Sequence, residues 1–221
     1  RVNAAVCGAF EGGATRVVVL DGHDGRKSFF PEELDERAEV VMGRFSPYDT
    51  VMRQGFDAAI LLGYHAMSHT VGGVLCHTQS SLRWNNYWIN GKLAGEIGQD
   101  SILIGACDIP VVMVTGDDKA VAEAKSTLGD DIVTVQVKHG LSREAALMLA
   151  PKKARALIRA GAKEAMGIAG KVAPYKPEFP LTIRWQYKDS GIVDRYTGDA
   201  KRIDAITLEK VVHSPADIIT P

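Results

Sequence analysis

The sequence predicts an α/β fold: a mostly parallel central sheet flanked by helices, with a smaller C-terminal α+β region. Three observations predict it. Short β-branched apolar runs alternate with helix-period segments through residues 1–150, the pattern of parallel sheets with helical crossovers. Several of those runs end in glycine. After Pro151 the pattern changes to one basic amphipathic helix followed by alternating, half-buried strand patterns.

In order, Val2 to Phe10 reads as helix. Arg16-Val17-Val18-Val19-Leu20 follows Gly12-Gly13 and reads as a buried strand. Ala58-Ala59-Ile60-Leu61-Leu62, stopped by Gly63, is the next. Tyr87-Trp88-Ile89-Asn90-Gly91-Lys92-Leu93 carries Asn-Gly between apolar residues, the strongest short hairpin signal. Glu96 to Cys107 and Asp117 to Leu128 read as helices, the second with acids in its first turn, where the helix dipole favours them. Val111 to Thr115 and Ile132 to Val137 are further strands. Pro151 suits the first turn of a helix over Lys152 to Gly167. Pro174 to Pro180 reads as an extended linker, and Leu181 to Trp185 and Arg202 to Leu208 as strands.

The charge divides at the same place. Of 221 residues, 26 are Lys or Arg and 27 Asp or Glu, for a net charge of −1. Residues 1–150 hold 13 basic and 19 acidic side chains, and residues 151–221 hold 13 and 8. Residues 1–150 are expected to form one α/β domain and 151–221 a smaller C-terminal region. The balanced total speaks against a nucleic-acid partner. The apolar runs fall short of the ~18 residues that cross a bilayer, so no membrane partner is expected. Cys7, Cys76 and Cys107 are odd in number and widely spaced, which implies no disulfide framework and a cytoplasmic location.

Ligands of open α/β sheets bind beyond the carboxyl ends of the strands. Two strands end there in histidine: Leu20-Asp21-Gly22-His23 and Gly63-Tyr64-His65. His69 and His77 follow in a glycine-containing loop, where site residues concentrate. Cys76 precedes His77, but neighbours in extended chain point apart, so Cys76 reads as a small apolar filler. Glu96 lies between Gly95 and Gly98 at a helix start. Histidines with carboxylates are a donor set that suits zinc with an open catalytic position. His139 reads as a turn residue, His213 as exposed, and Asp117-Asp118 as a helix cap. The sequence has no P-loop, GxSxG, HExxH or CxxC.

Asp21-Gly22-His23, Gly63-Tyr64-His65-Ala66, Gly73-Val74-Leu75-Cys76-His77-Thr78 and Gly95-Glu96-Ile97-Gly98, in that order, resemble the zinc-dependent D-aminopeptidases of the DppA type. Tyr87 to Gly91 and Pro110 to Asp118 fit as well, and the likeness covers most of residues 1–170. It implies a dinuclear zinc centre, removal of N-terminal D-amino acids from short peptides, and a ring-shaped homo-oligomer, a decamer being one such ring. It implies His23, His65 and Glu96 as metal ligands and His77 as the catalytic histidine. Asp21 would orient a ligand imidazole, and Tyr64, Trp84 and the Ser80–Asn86 loop would wall the substrate pocket. The family's opening Asp-x-Glu-Gly strand, whose carboxylates also bind metal, is not in this sequence. Because Arg1 opens directly into helix, that strand is expected upstream, and two zincs per subunit with it. The alternatives are another zinc amidohydrolase acting on small amides, and a metal-free scaffold or peptide-binding homologue.

Overall fold

The computed structural model describes residues 1–23, 28–43 and 50–221. Its elements are α1 (Val2–Glu11), β1 (Val17–Leu20), β2 (Ala38–Val41), β3 (Ala59–Leu62), β4 (Trp84–Ile89), β5 (Lys92–Leu93), α2 (Glu96–Gly105), β6 (Val111–Asp117), α3 (Asp118–Leu128), β7 (Val133–Ser142), β8 (Ala145–Met148), α4 (Pro151–Met166), β9 (Leu181–Tyr187), α5 (Ser190–Asp194), β10 (Lys201–Arg202) and β11 (Thr207–Val212).

The α/β expectation holds. A four-stranded sheet runs β3-β6-β7-β8, parallel except for the edge pair β7–β8. Strand β6 is buried along its whole length, as a central strand covered on both faces must be. One core cluster packs Val112, Met113, Val135 and Val137 with Ala4, Ala5, Ala154, Ile158, Ala162 and Ala165 of α1 and α4. A second packs Leu61, Val111 and Val114 with Ile97 and Ile104 of α2 and Ala120 and Ala124 of α3. Strands β1 and β2 form a separate parallel pair.

A five-stranded antiparallel sheet, β10-β11-β9-β4-β5, is built from both sides of Pro151. The expected hairpin forms around Asn90 and Gly91, both with positive φ (49° and 77°), which suits a primed turn. Its strand β4 then pairs with β9, Tyr87 opposite Trp185. Trp84, Tyr87, Trp185, Leu181, Ile183 and Leu208 form the core, with Ile102 and Leu103 of α2 packed on it. Helix α2 therefore joins the two sheets. Elements from the two sides of Pro151 interleave in both layers.

Arg202 to Leu208 is not one strand. It is β10, a turn and β11, because the Asp204 carboxylate accepts the Ile206 N–H at 2.8 Å and closes the chain locally. His139 is not in a turn. It lies within β7, which continues through Ser142 because β8 pairs with it.

Candidate metal centre

The site forms where β3 and β6 end. Gly63 leaves β3 at φ 81°, and its N–H meets the Thr115 carbonyl (3.1 Å) and the Thr115 hydroxyl (2.8 Å). Tyr64 N–H bonds the same carbonyl at 2.9 Å. The chain thus folds over β6 at Gly116, where a Cβ would stand 2.5 Å from the Tyr64 carbonyl oxygen. Only glycine admits that approach. The turn sets His65 over the carboxyl edge of the sheet, with the Tyr64 hydroxyl on Asp100 at 2.5 Å.

The loop from Ala66 to Ser80 is pinned at several points. Buried Asp117 accepts the Lys119 and Ala120 N–H groups, capping α3, and with its other oxygen the Val74 N–H at 2.7 Å. Glu123, on α3, accepts the Met67 N–H at 2.6 Å. Leu75 N–H bonds the Arg143 carbonyl at 2.8 Å. His69, Leu75 and Gln79 hold positive φ (62°, 54° and 59°), a conformation that costs about 1–3 kcal/mol each and persists only where the surroundings impose it. These anchors return the chain beside its start, where His77 N–H bonds the Ala66 carbonyl at 3.3 Å.

The result is a convergent donor set. The His65 and His77 rings stack with centroids 3.9 Å apart and planes 21° from parallel. Each Nδ1 meets a backbone carbonyl, Ala66 at 3.1 Å and Leu75 at 2.6 Å, which places the proton on Nδ1 and the lone pair on Nε2. Both Nε2 atoms then face one Glu96 oxygen, each at 3.6 Å. That oxygen also accepts the Gln79 N–H at 2.7 Å. Burial lowers the His65 pKa to about 4, so the imidazole is neutral at pH 7, the form a metal needs. Burial raises the Glu96 pKa, with the His77 charge and the Gln79 bond opposing it. A tetrahedral zinc with bonds of about 2.0–2.1 Å holds its ligands roughly 3.4 Å apart, close to the spacing here. The donor atoms of His65, His77 and Glu96 all lie within 4.8 Å of one another. The residues fit the metal.

A sequence profile for the D-aminopeptidase peptidases matches residues 1–220. This chain belongs to the D-aminopeptidase family. It is 33% identical over 177 residues to the D-aminopeptidase of Bacillus subtilis (strain 168). That alignment takes in 79% of this chain and 64% of the relative, so the chain spans less than two thirds of the curated relative's length. The solved structure of the Zn-dependent D-aminopeptidase DppA from Bacillus subtilis, described as a self-compartmentalizing protease, superposes with a TM-score of 0.89 at 27% identity. It covers 98% of this chain, and 80% of that chain is matched.

Of the four site residues named from sequence in this D-aminopeptidase-family chain, three meet. His23 stands outside the cluster: its Nδ1 lies 3.4 Å from the Ser28 hydroxyl, though its charge is felt at Glu96. Asp21 does not orient an imidazole. It is buried and accepts the backbone N–H groups of His23 (3.2 Å) and Ser28 (2.5 Å), closing the loop instead. Cys76 is not core filler but lines a cleft beside His77. Trp84 lines the same cleft and stacks on Tyr87. His139 Nδ1 is 2.8 Å from Asp118. Sequence reasoning missed Glu123, an acid in an ordinary amphipathic helix. It is buried, its pKa raised to about 7 by desolvation, and its Oε1 has no hydrogen-bond partner among the described residues. Gly95, against which that oxygen packs, was the available signal.

Proposed function

We propose that this chain is a zinc-dependent D-aminopeptidase that removes N-terminal D-residues from short peptides. The convergence of His65 and His77 Nε2 on one Glu96 oxygen at 3.6 Å carries the reading, and the family membership supports it. His65 and Glu96 would hold the metal, with His23, from the loop after β1, as a further ligand. Zinc, when bound, supplies a Lewis acid for the scissile carbonyl and acidifies water. A dinuclear centre needs more carboxylates than this cluster offers, and an Asp-x-Glu-Gly segment like the family's would supply them.

His77 works on the substrate. Its Nδ1–H is committed to the Leu75 carbonyl, so Nε2 is the atom free to take a proton and return it to the leaving amine. Glu96 is held by the Gln79 N–H, which fixes its orientation. Burial around His65 and Glu96 limits water access and strengthens each charge–dipole contact. A second reading, with His77 as a third ligand, draws on its equal 3.6 Å distance to Glu96.

The relative's self-compartmentalizing assembly, and the exposure of apolar Val71, Leu141, Leu147 and Met148, support a ring-shaped homo-oligomer, a decamer being one such ring. No described helix is long and apolar enough to cross a membrane. Cys7, Cys76 and Cys107 are thiols rather than disulfides, which suits a reducing cytoplasm, where we place the activity.

The test is hydrolysis of chromogenic D-alanine and L-alanine amides by zinc-loaded protein. A clear preference for the D-isomer is expected. Equal rates, or preference for the L-isomer, would overturn the reading.

A further inference from the structure

Beside the donor cluster lies a cleft of about 350 Å³ whose lining includes His77, Ser68, Trp84, Arg143 and Lys188. His77 belongs to both, so whatever occupies the cleft adjoins the metal site. The cleft holds two cations and, among the described residues, no carboxylate in its lining. Glu96, Asp117 and Glu123 are not part of that lining.

Neither cation is consumed by the fold. The Lys188 ammonium donates to the Ser81 carbonyl at 2.5 Å, which leaves two of its three N–H donors. The Arg143 guanidinium faces its neighbour Glu144 at 3.7 Å, but that carboxylate is 82% exposed, and such a pair is worth little. Arg143 is placed by its backbone, whose carbonyl takes the Leu75 N–H within the loop that carries His77. The backbone at Arg143 and the loop that carries His77 are thus tied to each other. Lys188 follows β9, and its N–H bonds the Arg83 carbonyl, next to Trp84.

We propose that Arg143 and Lys188 receive the C-terminal carboxylate of the peptide. This inference rests on the aminopeptidase reading and deepens it by naming the substrate class: zwitterionic peptides with one or two residues beyond the scissile bond. The length follows from the volume. A space of about 350 Å³ would be about 9 Å across if compact, and an extended residue spans at most ~3.6 Å, so the cleft has room for about two residues beside His77. The sign follows from the lining. A guanidinium and an ammonium suit a carboxylate, and offer a neutral amide of equal size only uncharged-acceptor bonds to its single oxygen, about half as strong. The selection for short peptides is then a property of the single chain, not only of an enclosing ring.

The test compares D-alanyl-glycine with D-alanyl-glycinamide on the zinc-loaded full chain. The free acid should have a kcat/KM at least tenfold higher. That ratio should shrink in high salt, since the cations are solvent-exposed. It should approach one in Arg143→Gln combined with Lys188→Gln. A wild-type ratio near one, or one that survives in the double variant, overturns the proposal. Binding of N-acetylglycine against its amide, followed by tryptophan fluorescence, separates the two readings. If neither peptide is cut yet the acid binds tenfold tighter and the double variant loses this, the carboxylate site stands and the peptidase reading falls. If both peptides are cut alike and both probes bind alike, the carboxylate site falls and the peptidase reading stands.

Discussion

The imidazole of His65 lies flat on that of His77, 3.9 Å between centroids, and each is locked by its own backbone carbonyl so that both Nε2 atoms face Glu96. Two like rings in register are unfavourable when both are protonated and useful when both are neutral. The stack aims two lone pairs at one place, that of His65 for a metal and that of His77 for a metal or a proton.

His77→Ala separates the two roles open to that second ring. Zinc content and affinity should stay within a few-fold of wild type, while kcat falls by about 10²-fold or more, the scale of lost acid–base help. Calorimetric zinc titration beside steady-state kinetics checks it. If affinity collapses together with kcat, His77 is a ligand.

Gly116→Ala should damage the site from beneath. Its Cβ would stand 2.5 Å from the Tyr64 carbonyl oxygen, which is backbone and can yield only by shifting the segment that carries His65. Overpacking of this kind costs about 1–3 kcal/mol. The urea midpoint should fall and zinc affinity should drop with it. Unchanged affinity would show that His65 is held by other contacts.

Glu123→Gln tests the buried acid. Its folded pKa, about 7, is raised above an ordinary glutamate by burial. A raised acid costs nothing below its unfolded pKa, where both states are protonated. The cost grows between about pH 4.5 and 7 and is complete above that, with an upper bound of about 3 kcal/mol. Glutamine keeps an acceptor for the Met67 N–H and carries no charge. The zinc-free variant should match wild type near pH 4 and be more stable at pH 8, by about 1–3 kcal/mol in urea unfolding. A constant difference across that range would mean that Glu123 does not titrate there.

Much of this was legible in the residues. The short apolar runs from Val17, Ala59 and Val111 became strands, and glycines at or near their ends marked the places that carry the site. Asn90-Gly91 announced its turn because positive φ is a property of those two residues themselves. His23, His65, His77 and Glu96 stood out as histidines and an acid near strand ends and a helix start, where α/β sheets bind ligands, but the role of each came only from the resemblance to a known family. These features are local, and local chemistry is written in order along the chain.

What lay outside that order needed the tertiary structure. Nothing in Tyr87 says that it pairs with Trp185, 98 residues on, rather than with the parallel sheet its neighbours serve. Periodicity records which face of an element is apolar, not which partner covers it. Glu123 looked like any exposed helix acid, and only the packing of α3 under Met67 and Gly95 made it a buried one. The left-handed backbone of His69, Leu75 and Gln79 is preferred by none of those residues, and it exists because Asp117, Glu123 and Arg143 hold the loop from outside. The residue types at the centre follow from sequence. Their 3.6 Å spacing is set by long-range hydrogen bonds, whose partners only the folded chain brings together.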